Sequence, residues 1–72
     1  MTYFICNLHD NRVLCNHRNF DRYYIRSMCD VENDLTVFQE DNLDDAKLAL
    51  NYVKARYTGS WVIINTRGEV VG

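Results

Sequence analysis

Residues 41–59 read DNLDDAKLALNYVKARYTG. From Leu43 onward, apolar side chains return at steps of three and four: Leu43, Ala46, Ala49, Leu50, Val53 and Tyr57. That spacing places them on one face of an α-helix and predicts a helix over 43–57. Asn42 fits its N-cap. Asp44 and Asp45 then stand in the first turn, where free N–H groups and the positive end of the helix dipole favour carboxylates. Gly59 is expected to stop the helix in a left-handed conformation. On the far side, Leu48, Tyr52 and Ala55 repeat the helical spacing. A short chain can bury one apolar stripe against itself but has little material to cover a second.

Working outward, residues 2–8 and 12–17 are rich in β-branched, aromatic and apolar side chains and read as two strands. Asp10-Asn11 between them suits a two-residue hairpin turn. That register sets Leu8 opposite Val13, Cys6 opposite Cys15 and Phe4 opposite His17. Phe4, Cys6, Leu8, Val13 and Cys15 then share one apolar face, the expected core side. Residues 61–65, Trp-Val-Ile-Ile-Asn, form the strongest strand pattern in the chain. Residues 66–69 turn into a short last strand at Val70 and Val71.

Residues 19–31 read two ways. As a helix capped by Asn19, they set Phe20, Tyr23, Tyr24, Ser27, Met28 and Val31 on one face. As a strand, they alternate Tyr23, Ile25, Ser27, Cys29 and Val31. The helical template takes one position more and is preferred. Residues 30–34 read as a loop and 35–39 as a short strand. The expectation is a small single α+β domain with one mainly antiparallel sheet. Two hairpins and a short strand make the sheet, and one long helix, with a second over 19–31 on the preferred reading, packs on one face. A faint echo links Tyr3-Phe4-Ile5-Cys6-Asn7 with Trp61-Val62-Ile63-Ile64-Asn65, which shared hairpin physics explains without duplication.

With 72 residues the chain makes one domain, and a domain this small buries only about 60% of its unfolded surface. Apolar residues at 47% and charged residues at 25% are ordinary for a globular protein, which argues against disorder. No apolar run approaches a membrane span, and no secretory leader pattern opens the chain. A reducing, cytoplasmic setting is expected for Cys6, Cys15 and Cys29, whose odd number suits no disulfide framework. The net charge of −2 is segregated. Residues 1–29 carry +2, residues 30–45 carry −7 with no base, and residues 46–72 carry +3.

Candidate chemistry is sparse. Cys6, Cys15 and His17 share a strand face, but His9 falls on the other, and no Cys-x2-Cys knuckle exists; core cysteines explain them better than zinc. No nucleophile triad or glycine-rich phosphate loop appears. No enzyme activity, metal, cofactor or small-molecule substrate is therefore expected. Asp30, Glu32 and Asp34 resemble the start of a calcium loop, yet Leu35 and Asp41 stand where that loop needs glycine and glutamate. The same acids, with Glu40, Asp41, Asp44 and Asp45, could imitate a phosphate backbone in a basic groove of another protein.

The expected function is a non-catalytic protein-binding module, self-associating as a homodimer or acting on a partner protein as a small inhibitor or adaptor. Its expected contact residues are Leu48, Tyr52, Ala55 and Arg56, together with Asp30, Glu32 and Asp34. The alternative is weak single-stranded nucleic acid binding through Arg18, Arg22 and Arg26 beside Tyr23. An overall anionic charge makes that the lesser reading.

Overall fold

A buried asparagine sets the register of the first hairpin. The structure, a computed structural model, describes residues 1–17, 22–27 and 37–72. Strand β1 (Tyr3–Asn7) returns as β2 (Arg12–His17), with Asn7 paired to Arg12 and Cys6 to Val13. The turn thus spans 8–11, and the expected pairing through Asp10-Asn11 alone does not form. Asn7 is the reason. Its Oδ1 accepts the backbone N–H groups of His9 at 2.9 Å and Asp10 at 3.3 Å, which starts the turn early. Asn11 supplies a positive φ of 52°. A slip of two residues keeps every side chain on its face. Phe4, Cys6, Val13 and Cys15 accordingly still cluster, while Leu8 moves out to solvent.

Strand β3 (Arg22–Ser27) pairs with β2 without a break, from Arg12–Ser27 to His17–Arg22. The helix preferred over 19–31 is therefore corrected for 22–27. Tyr23, Tyr24 and Ile25 favour extended backbone, and pairing along the whole of β2 satisfies a row of N–H and C=O groups that a helix would leave open. Residues 19–21 and 28–31 of that segment lie outside the described residues.

β1 and β2 bond each other only beside their turn. Farther along, Val37 bridges Cys15 of β2 and Glu40 bridges Tyr3 of β1. The Phe38 N–H donates to the Leu14 carbonyl at 2.9 Å, and Tyr3 and Glu40 exchange bonds of 2.8 and 3.1 Å. The strand expected over 35–39 is thus, in its described part, a bridge at Val37, with a second at Glu40 beyond it.

Glu40 leads directly into the helix. Its Oε1 accepts the N–H groups of Asp41 and Asn42, and the Asn42 Oδ1 caps those of Asp44 and Asp45 at 2.8 and 3.3 Å. Helix α1 (Leu43–Arg56) follows, with Ala46, Ala49, Leu50 and Val53 buried as the spacing requires. Tyr57 then leaves the helix in extended backbone at φ −125°, its ring tilted against Trp61 at 6.3 Å. Gly59, expected to cap the helix, lies beyond that exit. Its φ of +126° shapes the approach to the next strand instead.

Strand β4 (Trp61–Asn65) pairs antiparallel with β1 from Tyr3–Asn65 to Asn7–Trp61, giving a four-stranded sheet of order β3-β2-β1-β4. Asn65 does for the last turn what Asn7 does for the first, accepting the N–H groups of Arg67 at 2.9 Å and Glu69 at 3.0 Å. Val70 then bridges Ile64, and Val71 and Gly72 bond Ile63, along the outer side of β4.

The domain is α+β, with apolar side chains packed on both faces of its sheet. Ile5, Leu14, Trp61 and Ile63 meet α1 and Phe38 on one face. Phe4, Cys6, Val13, Cys15, Val37 and Ile64 cluster on the other. The expected core side is therefore buried, but the helix occupies the opposite one. Among the described residues, no helix is long and apolar enough to cross a membrane.

Candidate functional site

The outer side of α1 carries the second apolar stripe, and the fold divides it. Leu48 is 67% exposed and Ala55 is exposed, whereas Tyr52 is half-buried and packs against the core beneath the helix. The guanidinium of Arg56 lies 3.8 Å from the centre of the Tyr52 ring, close enough for a cation–π contact. That contact holds Arg56 beside the stripe. Along the flank runs an open depression of about 330 Å³, lined by Phe38, Glu40, Asp45, Leu48, Ala49 and Tyr52. The surface is a shallow apolar strip with carboxylates at the start of the helix and a guanidinium at its end. Among the described residues, Asp44, Asp45, Lys47, Lys54 and Arg56 form no ion pair.

Of the other residues singled out in the sequence, Asp30, Glu32, Asp34 and Arg18 lie outside the described residues. Arg22, Tyr23 and Arg26 belong to β3, in register with His17, Asn16 and Val13. The two arginine positions share one phase of the strand and Tyr23 takes the other, so the helical row of arginines does not exist over this segment. Cys6 and Cys15 are buried thiols in the apolar cluster. Burial pushes the Cys6 thiol above its ordinary value of 9.0, because a thiolate there would lose its hydration. A raised pKa in the folded state means stability that is intact below about pH 9 and lost as pH rises through the folded value. Cys6 is accordingly expected to resist a thiol-disulfide reagent at pH 8 until denaturant opens the fold, as absorbance of the released thiol would record. Reaction in native buffer as fast as in denaturant would contradict this burial. Among the described residues, no group of His, Cys, Asp and Glu side chains is placed to hold a metal ion.

Sequence reasoning missed a polar knot at the end of the sheet. Arg12 pairs with Asp10 at 2.7 Å, donates to the Thr58 carbonyl at 3.1 Å and stands 5.3 Å from the Trp61 ring. The Trp61 Nε1–H donates to the same Thr58 carbonyl at 3.2 Å, and the Leu8 N–H to the Ser60 carbonyl at 3.2 Å. The first turn and the loop after α1 are thereby tied together over buried Asn7. An asparagine closing each of two apolar runs was the available signal, and it marks a structural tie.

No protein-family model matches the chain, and no curated protein or solved structure matches it either.

Proposed function

We infer that this chain is a non-catalytic protein-binding module that docks through the outer face of α1. The carrying observation is Leu48, a large aliphatic side chain left 67% exposed at the middle of the helix. Burying such a side chain is worth about 1.5–3 kcal/mol, a large amount for a small domain to forgo. Ala55 and the Tyr52–Arg56 stack extend the strip, and aromatic and arginine side chains are the usual anchors of interfaces. The buried, free thiol of Cys6 suits a reducing, cytoplasmic setting.

Leu48→Asp tests the reading. Because Leu48 is exposed, the variant is expected to melt within about 2 °C of the wild type. An immobilised wild-type chain is expected to retain a protein, from host extract or added as a second copy, that the variant releases. Equal retention by both chains would defeat the proposal.

A further inference from the structure

The outer face of α1 has a charge order that reads the same from either side of a two-fold axis, and we propose that its occupant is a second copy of this chain, packed helix to helix and antiparallel. The proposal rests on the binding-module reading and names its partner. Residue 50 is the pivot. Leu48 and Tyr52 lie two residues to either side of it, and Asp44 and Arg56 lie six residues to either side. At 1.5 Å per residue, an axis crossing there sets Leu48 of each copy over Tyr52 of the other, and Asp44 at the height of the other copy's Arg56. A two-fold interface requires this self-complementarity, in which residue i meets j and j meets i. A parallel arrangement would instead set carboxylate against carboxylate and guanidinium against guanidinium.

The charged side chains stand ready for such pairing. Asp44, Asp45 and Arg56 have no ion-pair partner among the described residues, although the helix offers neighbours of both signs. Arg56 is held against Tyr52, on the flank that the second helix would face. Asn51 and Ala55, both exposed, stand beside Leu48 on this face, so two helix axes can approach to about 8–10 Å. One helix pair buries less than the roughly 800 Å² per partner of a standard interface, so the dimer is weak and reversible.

Sedimentation equilibrium tests this on the full chain. Wild type is expected to pass from monomer to dimer between about 20 μM and about 1 mM. Arg56→Glu sets a carboxylate against Asp44 of the other copy, and Asp44→Lys sets an ammonium against Arg56. Each alone is expected to raise the dissociation constant about tenfold. An equimolar mixture of the two variants restores opposite charges at both contacts and is expected to regain wild-type association. Leu48→Asp, which touches neither end of the helix, is expected to raise the constant as well, and far-UV circular dichroism on each variant separates lost pairing from lost helix. A wild type that stays monomeric to about 1 mM, or a mixture no better than its components, overturns the second copy as the occupant. If the wild type is monomeric while Leu48→Asp still releases another retained protein, the second copy falls and the binding module stands. If neither association is seen, both fall.

Discussion

Gly59→Ala is expected to remove most of the stability of this domain. At φ +126° an alanine is strained, at a cost of about 1–3 kcal/mol. The added Cβ would also collide with the side-chain amide of Asn7. That amide has nowhere to go. Asn7 is 1% exposed, and its Oδ1 is committed to the backbone of the first turn. Moving it breaks two hydrogen bonds worth about 1 kcal/mol each, and Asn7 Nδ2 is already a buried donor without an acceptor among the described residues. The sum, about 3–5 kcal/mol, is comparable to the whole stability of many domains this size. Urea denaturation provides the measurement, with Gly68→Ala as the control. Gly68 also has a positive φ, +78°, but no described residue lies within 4 Å of its would-be Cβ, so it carries backbone strain alone. Equal losses in the two variants would show that the Asn7 contact contributes nothing.

Phe4→Ala should be nearly as damaging, although Phe4 lies on the side of the sheet away from the helix. Its ring is 1% exposed among Cys6, Val13, Cys15, Val37 and Ile64. Truncating a buried phenylalanine costs about 3–5 kcal/mol through lost transfer energy and the cavity left behind. The expected result is a variant largely unfolded at 37 °C, seen as loss of near-ultraviolet circular dichroism and of a cooperative melt. A Phe4→Ala melt within about 3 °C of the wild type would show that this second apolar layer adds little.

Local chemistry was legible wherever it acted alone. Asn42 with Asp44 and Asp45 marked the start of α1, and the 43–57 spacing identified the buried face because cap and period act within one element. The strand at 61–65 was equally plain. What could not be read was set by contacts between distant residues. The apolar spacing of residues 19–31 fits either template, and pairing with β2 decides for the strand over 22–27. The first turn shifted by two residues because the Asn7 amide is buried beneath a loop that begins some fifty residues later. Phe4-Ile5-Cys6, Val13-Leu14-Cys15 and Val62-Ile63-Ile64 are unbroken apolar triplets. Such runs indicate strands covered on both faces, and giving the first hairpin one core face followed alternation where continuity was the better guide. The outer stripe of α1 was found as a pattern, but Tyr52 is half-buried against a cluster that includes Phe38, which no helical period could place there.

The strand order carries a kinetic consequence. β1 lies between β2, its neighbour in the chain, and β4, which is separated from it by the whole of α1. Closing the sheet therefore waits on a loop of more than fifty residues, which makes folding slow relative to a purely local topology. Because α1 sits inside that loop, its outer face has a fixed backing only once β4 has zipped onto β1. Any ligand of Leu48 thus selects the completed fold over every partial one. Its binding should raise resistance to proteolysis across the whole chain, not only at the helix it touches.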